Sequence, residues 1–401
     1  MKNNERSEQQ GLRLALLLPA GVALLAGLNA GLLLAGAPAP WQEPRLEDRH
    51  GMLMVLGFLT LIALERAVAL RRTGGFAAPA LLGAGGLALI TPLPAVVGQL
   101  LLVAGLLALL WVYAGLYRRS RDDLVLVQAL AAFLALVAAA MWLRVELPPL
   151  VPWLIGFLAL TIAAERVELA RIAMPASAAA TLTAHACALT VALTLDLLWV
   201  PWGRVLFGAG LLALVTWLLW HDVARRTIRA RGLPRYSAVA LLLGYGWLAL
   251  SALVWMGAAL VADLAAPRAV PEVAYEIAVH AAFIGFAMSM VVAHAPVILP
   301  AVLRRPLPYR PLLWLPLVAL HLTLAARLAL AALDGLTGPW PWAALATALA
   351  LLLFALVAAG SVIAGDRRGA RPARRPAPEP APNAERQTTE TTEKTPGEDP
   401  S

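Results

Sequence analysis

Apolar residues run along this chain in windows of about 20, each closed by charge, proline or glycine. The windows fall at 14–37, 51–70, 76–94, 97–117, 124–143, 150–170, 176–198, 202–220, 236–261, 275–298, 312–333 and 342–364. Each is long enough to cross about 30 Å of hydrocarbon as an α-helix. The pattern predicts an all-α, polytopic transmembrane bundle of about twelve helices. Windows three and four meet at Thr91-Pro92-Leu93-Pro94 with almost no loop, so they should form a helical hairpin. A membrane barrel would instead alternate apolar and polar positions.

Composition agrees: 61% of the 401 residues are hydrophobic and 14% are charged, against about 25% charged in soluble domains. The chain divides into a polar start (1–13), a transmembrane domain (14–365) and a tail (366–401) rich in Pro, Arg, Glu and Thr. The tail has too little apolar surface to fold, so it reads as a disordered cytoplasmic segment that a protein partner could recognise. The first apolar run, Leu14 to Ala37, exceeds the core of a signal peptide and reads as a retained helix. Cleavage near Ala35-Gly36-Ala37 is the alternative.

The net charge of +8 could point to nucleic acid, but arginine is concentrated in short loops. With the N-terminus inside, the inside loops carry sixteen arginines and the outside loops five: Arg45, Arg49, Arg144, Arg204 and Arg268. That asymmetry predicts cytoplasmic termini and no nucleic-acid partner. The single cysteine, Cys187, excludes an internal disulfide and a Cys-x-x-Cys zinc or haem motif. Phosphate-loop, Gly-x-Ser-x-Gly and His-Glu-x-x-His motifs are absent from the sequence, which argues against ATP-driven pumping and common hydrolytic chemistry.

A weak repeat spaces Gly57-Phe58 and Glu65-Arg66 from Gly156-Phe157 and Glu165-Arg166; Gly285-Phe286 and His294 echo it in span ten. Spans two, six and ten would then be equivalent helices of three four-helix units. Chance recurrence in an Ala/Leu-rich chain is the other reading.

Polar groups in a bilayer are costly, so function is sought there first. His50 opens span two, and His280 lies five residues into span ten. Both sit toward the outer face, His280 about 7–8 Å deep. Two neutral imidazoles at similar depth could clamp haem, with Arg45 and Arg49 meeting its propionates. A helix-start residue and a hydrogen-bonded buried histidine explain the pair equally well. His294, 14 residues after His280, shares its face on an ideal helix but stands about 21 Å away, a second metal ligand, a proton relay or a cap. Met52, Met54, Met288 and Met290 near the histidines would suit copper as Cu(I), although methionine in apolar helices usually packs. Arg327 in span eleven needs an anionic partner from another helix or a ligand, unless it snorkels to the surface. Glu65-Arg66 and Glu165-Arg166 could pair across helices.

The run from His50 through Gly51-Met52-Leu53-Met54 to Gly57-Phe58, and the run His280-Ala-Ala-Phe-Ile-Gly285-Phe with His294-Ala-Pro, resemble the NnrS family. The placement of these histidines is also similar to the large subunit of haem-copper oxidases. The resemblance to NnrS implies a twelve-span bacterial inner-membrane protein of the nitric oxide response, containing haem and copper. Over this sequence it implies His50, His280 and His294 as ligands. Span six has no histidine, so an oxidase-type copper site is not expected. The alternatives are a secondary transporter and a non-catalytic assembly protein.

Overall fold

A computed structural model of the chain describes residues 2–261, 270–303 and 309–369. Among these residues twelve helices are long and apolar enough to cross a membrane, and no strand occurs. We number them α1 (Lys2–Leu34), α2 (His50–Leu70), α3 (Ala77–Ile90), α4 (Ala95–Ser120), α5 (Asp123–Met141) and α6 (Val151–Leu169). The second half comprises α7 (Ala178–Leu198), α8 (Val200–His221), α9 (Leu233–Val261), α10 (272–303), α11 (Trp314–Asp334) and α12 (Trp340–Gly369). The protein is thus an all-α, multi-pass membrane bundle. Large apolar side chains such as Leu100, Leu107, Trp111, Leu253 and Leu322 are more than half exposed, as lipid-facing positions would be.

Local chemistry sets the ends. Proline occupies the first turn of α6 and α8, where a missing N–H costs nothing. The Asp122 side chain accepts from the Leu124 amide and caps α5. Arg71 and Arg121 take left-handed backbone conformations that stop α2 and α4. The α3–α4 hairpin is confirmed, and glycines let its backbones meet: a Cβ on Gly98 would lie 3.0 Å from the Gly85 carbonyl oxygen.

The ends differ from the hydropathy windows in two places. The polar start is helical, because α1 continues from Lys2, and α12 extends to Gly369, past the expected boundary at 365. The remainder of the expected tail, 370–401, lies outside the described residues, as do Arg268, Arg304 and Arg305 of the charge argument.

The helices pack mainly on their neighbours in sequence, with α8 on α9 and α4 on α5 among the close pairs, and α12 returns to α1. The helices α2, α6 and α10 are the inner ones: 67%, 94% and 67% of their apolar windows are buried, against 33–50% in the other nine. The three inner helices are those that carry the spaced Gly-Phe pairs.

Span ten departs from an ideal helix. Its α-helical start (Glu272–His280) passes into a π-helical stretch (Ala281–Met288) before α-helix resumes at Ser289. The wider π turns invalidate the ideal-helix angle and height between His280 and His294. Gly285 in this stretch faces the Trp247 ring of α9, and a Cβ there would collide with the indole.

Candidate functional site

Where α2 and α10 begin, a cavity of about 710 Å³ opens at one end of the bundle. His50, Gly51 and Met54 come from α2, and Glu276, His280 and Phe283 from α10. Arg327 enters from α11 and Trp340 from α12, while Trp142 and Glu146 come from the α5–α6 connection. The volume is in the range of small-molecule sites, and apolar walls with a few convergent polar groups are their usual lining. Exposed Asp48 and Glu146 border it, so it reaches the surface. The loop above it is pinned to α1: Asn29 accepts from the Trp41 amide at 2.9 Å and donates to the Trp41 carbonyl at 2.7 Å.

The two histidines chosen from sequence therefore share one cavity, yet their rings are engaged differently. His50 Nδ1 donates to the Gly27 carbonyl at 2.7 Å, leaving the Nε2 lone pair without a hydrogen bond among the described residues. Gly31 makes room for the ring, since a Cβ there would lie 2.6 Å from His50 Cε1. His280 Nδ1 lies 2.9 Å from both the Glu276 carbonyl and its carboxylate oxygen Oε2. Its Nε2 accepts from Arg327 Nη2 at 3.1 Å.

Arg327 finds the anionic partner its burial demands in Glu276, with Nε donating to Oε1 at 2.6 Å. The guanidinium also lies over the Trp340 ring, 5.3 Å from its centroid. Sequence reasoning passed over Glu276. The available signal was its i,i+4 spacing to His280 at the start of a span that also needed a partner for Arg327.

A second buried network closes the opposite end of the same inner helices. Arg166 donates two hydrogen bonds to Asp222, at 2.9 and 2.7 Å, and a third to His294 Nε2 at 3.0 Å. Tyr245 donates to the same carboxylate at 2.6 Å, and the Ala224 amide donates at 2.8 Å. Burial alone would raise the Asp222 carboxyl, but the hydrogen bonds and charge of Arg166 outweigh it and hold the group below its ordinary value. Beside this network Arg66 reaches Glu65, Glu165 and Glu168 at 3.4, 3.5 and 3.6 Å. Thus Arg66 ties α2 to α6, and Arg166 ties α6 to α10. The expected cross-helix pairing is present, but the Arg166 partner is Asp222.

A bis-histidine haem needs a free nitrogen on each imidazole. His50 offers one, but Arg327 occupies that of His280 and Arg166 that of His294. Arg45 pairs with Glu43, and Arg49 donates to the Leu89 carbonyl, so neither lines the cavity. Glu47, Asp48 and Glu146 line it instead, where propionates would meet like charge. These residues do not fit a bis-histidine haem. Of the four methionines only Met54 lines the cavity. Among the described residues, no group of three or more His, Cys, Asp or Glu is placed to hold a metal ion.

His321 accepts from Trp247 Nε1 at 2.8 Å and lies 3.4 Å from the Ser289 hydroxyl, joining α9, α10 and α11. His185 bonds back to Thr181 of its own helix, and its ring packs against Trp217 of α8.

Fold and site together define a polytopic helical membrane protein with a small-molecule-sized cavity at one end and a charged network across the other. The chain belongs to the family described as a domain of unknown function, DUF8744, whose model matches residues 13–363. No curated protein and no solved structure matches the chain.

Proposed function

We propose that the protein is a bacterial inner-membrane carrier that binds a small, largely apolar solute in the cavity at the start of α2 and α10. The supporting observation is the pairing of a 710 Å³ cavity at one end of the inner helices with arginine networks at the other. A solute site open to one side and closed to the other is what alternating access requires of one state. The arginine asymmetry of the loops supports an outer position for the cavity and cytoplasmic termini.

Purified protein in proteoliposomes should support saturable uptake or counterflow of a solute that quenches the fluorescence of Trp142 or Trp340. An Ala348→Trp variant, which fills the cavity from α12, should lose both signals. Failure to find any ligand whose binding distinguishes the two proteins would sink the reading.

The NnrS resemblance supports a second reading, a haem protein of the nitric oxide response, through the unengaged Nε2 of His50 alone. An absorption spectrum after expression with ample haem decides it. A Soret band that disappears in His50→Ala would favour haem over the carrier.

A further inference from the structure

We infer that the solute class is a lipophilic cation: an aromatic or aliphatic body carrying an ammonium-type head. The inference rests on the cavity being a binding site and adds the chemistry it selects.

Charge is the first consideration. The lining carries four carboxylates, Glu47, Asp48, Glu146 and Glu276, against one guanidinium, Arg327. Arg327 is committed to Glu276 at 2.6 Å, so the two offset each other at depth. The remaining three carboxylates approach from two separate elements, the segment leading into α2 and the α5–α6 connection. Low-dielectric walls around one sign of charge focus the field and concentrate counter-ions of the other sign. An anionic solute would have to pass these carboxylates to reach an arginine that already has its partner.

The walls are the second consideration. Trp142, Tyr275, Phe283 and Trp340 present aromatic surface to the cavity, suited to an apolar body and to a cationic head over a ring face.

Three fluorescent ligands sharing one naphthalene sulfonyl body separate the cases: dansylcholine (cationic), dansylamide (neutral) and dansylglycine (anionic). Their affinities are measured by fluorescence titration of the full chain in nanodiscs, against Ala348→Trp as the blank. The expected result is dansylcholine bound roughly tenfold more tightly than the other two at low salt. That preference should shrink as salt is raised and vanish in Asp48→Asn/Glu146→Gln. Both of these residues are exposed, so the fold should tolerate the change. Equal affinity for dansylamide and dansylcholine overturns the cation inference while leaving the cavity reading intact. Tightest binding of dansylglycine overturns it in favour of Arg327 as an anion anchor. No binding above the Ala348→Trp blank overturns the cavity reading itself.

Discussion

At the scale of single residues, the two histidines of α10 repeat one arrangement. Each ring donates through Nδ1 to the carbonyl four residues back, and each accepts at Nε2 from an arginine held by a carboxylate. The sets are Glu276–Arg327–His280 at the cavity and Asp222–Arg166–His294 at the far end. Buried charges persist only when paired and fully hydrogen-bonded, and removing one member leaves the other stranded. Asp222 receives four hydrogen bonds and its side chain is completely buried. Asp222→Asn should therefore destabilise by about 3–5 kcal/mol, read as a fall in the melting temperature of purified protein. The carboxyl sits below its ordinary value when folded, so its stabilisation is complete above about pH 4 and is lost as pH falls through the lower, folded value. Wild type should lose melting temperature over that acid range, and Asp222→Asn should lack that component. An equal acid loss in both proteins would remove Asp222 as its source.

At the scale of elements, α10 matters most. Among the described residues it is the only one of the twelve long helices with a π-helical stretch, which begins directly after His280. Such stretches commonly accompany function because they re-aim the residues on either side. Here the stretch is packed through Gly285 onto Trp247, whose indole N–H is bonded to His321. Gly285→Ala would push the indole away and strain that bond. The expected cost is about 1–3 kcal/mol, with altered ligand binding at the neighbouring cavity. A variant with unchanged melting temperature and affinity would show that the stretch tolerates the added methyl. Hydropathy found span ten without difficulty, because twenty apolar residues look alike in α or π form. The π stretch packs against α9 through Gly285, a contact that a one-dimensional pattern does not contain.

At the scale of the molecule, nine outer helices surround three inner ones, and the charged groups of the inner helices segregate to their ends. The result is a cavity at one end and cross-helix ion pairs at the other. Orientation is testable with impermeant maleimide. In a Cys187→Ser background, Glu146→Cys should label in intact cells, whereas Arg229→Cys should label only after the membrane is opened. The reverse pattern would invert the arginine argument and place the cavity on the cytoplasmic side.

Much of this plan was legible in the chain itself. The windows gave twelve spans because hydrocarbon demands a fixed length of apolar helix whatever its neighbours are. The spaced Glu-Arg and Gly-Phe pairs marked the inner helices, since charge inside a bilayer needs partners from other helices. His50 and His280 could be assigned to one end by counting crossings. The tertiary structure decided which groups pair. It gave Arg327 to Glu276, Arg166 to Asp222 and His294, and it turned Arg45 and Arg49 away from the cavity. Those choices depend on distances of about 3 Å between helices far apart in sequence. Span length and hydropathy carry no information on that scale, whereas a hydrogen bond or a ligand's coordination depends on it entirely.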